Sequence, residues 1–343
     1  MNKKSLSAMI ILLVTFLSWS SGQVMAAAEE KQVKWGTEQG EDIPMLDEEQ
    51  EKALDSTQEL ATQKLFEAAN WIDSFFDDRR WVVEENTSRA TAKLAMGYSE
   101  NDNFEIKPRL DVRLKLPRLS ERANLFLEAA EDEDFNIGSN PLDDRLANNE
   151  GEDNELTGGI RYFLKETKKY NIIFDGGLSW DYLYAGARYR SLQNFGNWQG
   201  RFTNRLRYYT DEGLENKTAY DLERRLHVNW LFRTTTAVVL SEEEEGIPHS
   251  QYFRFFQVLS SHQAISYESG VYFDTEPSYK MTDTEFLVRY RQRFFRDWLV
   301  LEITPRLSFP EDHDREANPG IIVQFEAAFG YKADEEGYRK IFR

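Results

Sequence analysis

The sequence predicts an all-β chain: a closed antiparallel transmembrane β-barrel of about 14 strands, within bounds of roughly 12 to 16, preceded by an N-terminal amphipathic helix. Three observations predict it. Apolar and polar residues alternate almost without a break from Arg89 to Tyr331, and a period of two marks strands because successive side chains point to opposite faces. Many of the alternating segments run about 9 to 13 residues, the length a tilted strand needs to cross a bilayer. The connections between them alternate between short and long, as in a barrel with a turn side and a loop side.

The N-terminus reads first. "MNKKSLSAMIILLVTFLSWSSGQVMAAAEE" places Lys3 and Lys4 before an apolar run from Met9 to Trp19, then small residues through Ala26 to Ala28. That is the layout of a secretory signal, residues 1–26, cleaved near 26–28. The apolar run is too short to cross a bilayer as a helix. Residues 27–46 are polar, contain Gly and Pro, and are expected to be a flexible lead. Across 47–80 the period changes to 3.6. Leu54, Ala61, Leu65, Ala68, Ile72, Phe75 and Phe76 recur at helical spacing, and Asp47, Glu48 and Glu49 sit where the macrodipole favours acid. Residues 29–80 carry 15 acidic and 6 basic side chains. Such a helix could enter a basic lumen as a plug. A polar lumen is a poor place for Leu65, Ile72 and Phe76, however, so the helix is expected on the periplasmic side, against the barrel rim or another protein.

The strands follow over 81–343, with cores near 89–98, 104–116, 122–130, 155–165, 169–179, 183–192, 199–209, 216–225, 228–240, 251–259, 263–274, 284–294, 298–309 and 320–331. In "DTEFLVRYRQRFFRDWLVLEITPRLSF", Phe286, Val288, Tyr290 and Phe294 form one face, while Leu287, Arg289, Arg291 and Arg293 form the other. With the tip at Arg296-Asp297, Phe294 meets Leu299, Tyr290 meets Ile303 and Phe286 meets Leu307. Arg291 then meets Glu302, a favourable cross-strand pair. The segment 251–259 is ambiguous, with aromatic residues on both parities. Pro108 and Pro305 fall on apolar positions inside strands, where bulges are expected to absorb the missing N–H. Trp180, Tyr182, Tyr208, Tyr209, Trp230 and Trp298 fall near strand ends, as interfacial girdles do; Trp180, Tyr182 and Tyr184 could instead stack sugars at a pore mouth. After Tyr331 the chain "KADEEGYRKIFR" reads as a tail.

Composition narrows the function. The formal charge of −18 becomes −20 when residues 1–26 and their two lysines are removed, and so acidic a chain is a poor nucleic-acid binder. There is no Cys, hence no lipoprotein site and no disulfide. No nucleotide-binding, zinc-protease or serine-hydrolase motif is present, and no cofactor or resident metal is expected. The acidic runs at 242–245 and 311–314 fit solvated loop tips better than calcium loops. Ser250 adjoins His249, but sequence neighbours rarely form a nucleophile–base pair. A lipid-modifying enzyme is therefore only a third possibility.

Fourteen antiparallel strands in an open sheet would leave two edges; closure removes them, and in lipid every backbone group must pair internally. The apolar face then turns to lipid and the arginine face to the lumen. In this layout the chain resembles the Gram-negative outer-membrane β-barrel proteins, porin-like and with a "WIDSFFDD"-type helix end ahead of the strands. The resemblance covers roughly residues 81–343 and rests on architecture. It implies insertion by the outer-membrane assembly machinery into the cell outer membrane, against lipid and lipopolysaccharide. The expected lumen is net basic, with Arg109, Arg113, Arg205, Arg207, Arg289, Arg291, Arg293, Asp221 and Glu302 as lining candidates. Passage of small, anionic solutes follows from rings of arginine. The alternative is a structural or adhesion barrel whose lumen is plugged and cross-linked by salt bridges, with acidic loops outside.

Overall fold

The computed structural model describes residues 63–76, 89–101, 103–115, 123–128, 157–167, 169–243, 245–329 and 335–342. The expected signal segment, the lead, the helix positions 47–62 and 77–80 and the long acidic loop 131–155 lie outside the described residues. A helix, α1, occupies residues 63–76. The strands are β1 (Arg89–Ser99), β2 (Asn103–Lys115), β3 (Ala123–Glu128), β4 (Thr157–Glu166), β5 (Tyr170–Leu178), β6 (Leu183–Phe195) and β7 (Trp198–Tyr209). They continue as β8 (Gly213–His227), β9 (Trp230–Ser241), β10 (His249–Ser260), β11 (Gln263–Asp274), β12 (Lys280–Arg293), β13 (Leu299–Ser308) and β14 (Asn318–Phe329). A second helix, α2, spans Glu335–Phe342. The sequence predicts only a tail there, although Tyr338, Ile341 and Phe342 lie at helical spacing.

Each strand pairs antiparallel with its neighbours, and β1 pairs with β14, so the fourteen strands form a closed ring. The register of the β12–β13 hairpin is the one its alternation predicts. Phe286 faces Leu307, Tyr290 faces Ile303 and Arg291 faces Glu302, and Phe294 N–H donates to Leu299 O at 3.1 Å. The turn is wider than a two-residue tip and places Phe295 in the left-handed region, with φ of 58°.

The two prolines are accommodated without bulges, which corrects the expectation. Pro108 faces Leu94 in an unshifted β1–β2 register, and it lies beyond the outermost β2–β3 pair, Asp111 with Glu128. Around Pro305 the β12–β13 pairing lapses after Tyr290–Ile303 and resumes in the same register at Leu287–Arg306, while Pro305 still pairs with Ile321 on β14. Omitting two pairs costs less distortion than adding a residue, and both rings point outward, where no side chain must be re-aimed.

Parity sorts the side chains. Phe104, Ile160, Phe286, Val288, Phe325 and Phe329 project outward and are 37–63% exposed. The alternate positions of the same strands carry buried arginines and carboxylates. Inward glycines make room for the largest of these side chains: a Cβ at Gly270 would fall 2.2 Å from Cε2 of Tyr252, its cross-strand partner.

The wall is not polar everywhere. Near the short-turn end, Leu231 of β9, Phe256 and Val258 of β10 and Ala264 of β11 face inward and are buried. They form one apolar cluster with Leu65, Ala68, Ala69, Trp71, Ile72, Phe75 and Phe76 of α1 and with Ile341 and Phe342 of α2. Thus α1 lies inside the barrel at its short-turn end, not on the rim as the polarity argument had placed it. Trp71, Ile72, Asp73, Phe75 and Phe76 are all buried, so the C-terminal half of α1 is surrounded rather than amphipathic at a surface. Burying Leu65, Trp71, Ile72, Phe75 and Phe76 contributes on the order of 10 kcal/mol gross, before the ordering entropy that opposes it.

Candidate functional site

Among the described residues, eleven buried arginines face seven buried carboxylates of the wall, and Asp73 of α1 is an eighth. The strand period puts them there: Arg289, Arg291 and Arg293 are alternate residues of β12 and share its inner face. The candidates Arg205, Arg207, Arg289, Arg291, Arg293, Asp221 and Glu302 are all buried on that face. The side chains of Arg109 and Arg113 on β2 lie outside the described residues.

The structure sorts the candidates into three groups. Along β10 to β14 runs a continuous ladder. Arg254 Nε lies 3.2 Å from Glu268 Oε2, and Arg289 Nη2 approaches Glu268 Oε1 at 3.1 Å. Arg289 Nε lies 3.6 Å from Glu302 Oε1. Arg291 then spans Glu302 Oε2 at 3.1 Å and Glu326 Oε2 at 2.6 Å. Direct pairs such as Arg291–Glu302 follow from register, and the links to Glu326 and from Arg289 to Glu268 are diagonal. Desolvated guanidiniums demand such partners, since an uncompensated buried charge costs several kcal/mol.

The second group gathers around α1. Asp73 Oδ2 accepts from Arg201 Nη1 of β7 at 2.5 Å, and its Oδ1 accepts from Arg233 Nη2 of β9. Glu223 of β8 lies between the same two arginines, its Oε1 accepting from Arg233 Nε at 2.5 Å and from Arg201 Nη2. Phe75 and Phe76 of the helix lie under two more inward guanidiniums, Arg293 at 4.9 Å and Arg289 at 5.7 Å from the ring centroids. The sequence did not single out Asp73. Its signal is an acid set between Ile72 and Phe75 in an apolar stripe, but its partners lie 128 and 160 residues away.

The third group is nearer the loop end. Arg207 binds Asp175 through Nη2 and, at 3.1 Å, through Nε, and stacks over Tyr184 at 4.2 Å. Tyr182, Tyr184 and Tyr209 form a small aromatic cluster there. Tyr209 therefore faces inward and is no girdle residue, whereas its neighbour Tyr208 is exposed on the outer face. Arg205 binds Glu215 at 3.1 Å, and Asp221 accepts the Thr235 hydroxyl.

No protein-family profile and no curated protein matches the chain. Solved structures do resemble it. One is the outer membrane channel DcaP of Acinetobacter baumannii, at 8% identity and TM-score 0.43, covering 71% of this chain and 96% of that one. Another is the anion-selective porin from Comamonas acidovorans, at 8% identity and TM-score 0.45, covering 71% and 99%. A third is OmpT of Vibrio cholerae, at 7% identity and TM-score 0.44, covering 71% and 97%. Identity at this level says nothing about cargo, so function rests on the chain's own side chains.

Proposed function

We propose that the protein is an outer-membrane β-barrel channel for small anionic solutes, held closed by α1. The observation that carries this is the sorting of side chains around the ring: exposed aromatic and aliphatic residues outside and, among the described residues, eleven buried arginines against seven wall carboxylates inside. An outer apolar belt suits lipid and lipopolysaccharide, and an inner excess of guanidinium attracts anions across a low-dielectric wall. With α1 seated, Arg201, Arg233, Arg289 and Arg293 are covered by the helix. With α1 withdrawn, they line the short-turn mouth.

A second function is favoured by one specific observation, the unbroken Arg–carboxylate ladder from β10 to β14. It supports a structural barrel whose interior is cross-linked and passes nothing. Planar-bilayer recording separates the two. The full chain carrying Trp71→Ala and Asp73→Asn, which together weaken the seat of α1, should give discrete steps that reverse toward the anion potential in a KCl gradient. A fully inserted but silent variant would refute the channel and leave the structural barrel.

A further inference from the structure

The geometry points to a carboxylate-binding site formed by Arg201 and Arg233, which Asp73 of α1 occupies as an intramolecular ligand and which the carboxylate of a solute enters by displacing it. The identity of the displacing solute rests on the channel function proposed above; the Asp73 latch does not.

Asp73 is the charged side chain that α1 presents to the wall here, and each of its oxygens is held by a different guanidinium, from β7 and from β9. This is the arrangement by which two arginines clamp a free carboxylate. Around the clamp the wall supplies two further carboxylates to the two arginines. Glu223 is shared between Arg201 and Arg233. Asp221 faces Arg201 in the register and takes the Thr235 hydroxyl. Arg254 stands directly across from Arg233 as a third guanidinium, and its partner Glu268 is shared with Arg289. Two buried donors would lose their ligand if α1 left. A buried N–H left without an acceptor is costly, so an anion that supplies one lowers the cost of opening. Arg201 Nε is buried and makes no hydrogen bond, a donor that Asp73 does not use and a larger oxyanion could.

The chain contains no Cys, so a single cysteine reports on α1 alone. Ala69 is buried within the cluster, and Ala69→Cys should react slowly with a charged maleimide while the helix is seated. Acetate is the chemical equivalent of the Asp73 side chain. Potassium acetate at about 0.5 M should speed labelling several-fold over potassium chloride of equal ionic strength, because a tethered ligand has a high effective concentration that the free one must match. Adding Asp73→Asn should raise the rate in chloride at least about tenfold and abolish the acetate effect. Equal rates in the two salts would overturn the carboxylate site, and slow labelling of Asp73→Asn would overturn the latch. Folding is checked by heat-dependent gel mobility. Should Asp73→Asn not reach the folded form, Arg201→Lys carries the same test, since an ammonium cannot fork between Asp73 and Glu223, and unchanged labelling there would again overturn the latch. Conductance is recorded in parallel: a barrel whose labelling obeys these rules yet passes no current would support the latch while refuting the channel.

Discussion

Replacing Trp71 by alanine should unseat α1 while leaving the barrel folded. Trp71 stacks on Phe75 at 5.0 Å, meets Phe342 edge-on at 5.1 Å and contacts Tyr338 at 5.7 Å. It is the residue that joins α1 to α2. Truncating a buried Trp costs about 3–5 kcal/mol, of which the three ring pairs account for roughly 0.5–1.5 kcal/mol each. None of this is shared with the strand ladders, so the loss falls on docking of α1 rather than on closure of the ring. At 1.4 kcal/mol per factor of ten, about 4 kcal/mol lowers the ratio of seated to unseated helix by roughly a thousandfold. Maleimide labelling of Ala69→Cys, with and without Trp71→Ala, reads that ratio directly, and the thermal midpoint of the barrel should stay put. Unchanged labelling would refute the assignment of docking energy to this contact. Loss of the heat-modifiable barrel would refute the separation of helix from ring.

Other substitutions test other links. Phe286 is half exposed near the middle of β12 and Phe295 is 91% exposed in the following turn, and the proposed bilayer would surround only the first. Phe286→Lys should cost about 2–4 kcal/mol in a urea titration in vesicles and Phe295→Lys within about 0.5 kcal/mol of nothing; equal effects would contradict a membrane setting for the outer face. Glu302→Gln removes the carboxylate shared by Arg289 and Arg291, yet each keeps another partner in Glu268 or Glu326. The cost should be about 2–3 kcal/mol, below the 3–5 kcal/mol of a fully orphaned buried charge, read from the same titration. Gly270→Val should expel the Tyr252 ring and break its 2.9 Å bond to Glu285, costing about 1–3 kcal/mol, with partial recovery on adding Tyr252→Ala.

Much of the fold was legible because the outer and inner faces of the ring carry opposite chemistries on alternate residues. The hairpin from Glu285 to Ser308 shows it best: parity alone sets the pairing of Arg291 with Glu302. Where parity failed, it failed for a reason. The segment 251–259 reads as apolar on both faces because Phe253 and Phe255 face outward while Phe256 and Val258 form the seat of α1. That same ambiguity hid Arg254, a member of the inner ladder. An ambiguous strand in an otherwise alternating barrel thus marks a place where something apolar docks inside. The prolines misled because a strand was assumed to need every ladder bond, whereas β12 and β13 skip two pairs and keep register. The parity of β7 and β9 turns Arg201 and Arg233 inward, but their pairing with Asp73 was out of reach, since nothing local relates residue 73 to residues 201 and 233. The helix α2 was readable, but the expectation of a terminal strand drew attention from the spacing of Tyr338, Ile341 and Phe342.

The seat of α1 is assembled from β7, β9, β10 and β11, which follow the helix in the chain and must be paired before it exists. Strand pairing across the ring joins Ala90 to Phe329, a closure that is slow because the chain ends must first meet. Docking of the helix is therefore a late step. Until it happens, Arg201 and Arg233 face whatever fills the interior, and water or a solute anion must stand in for Asp73.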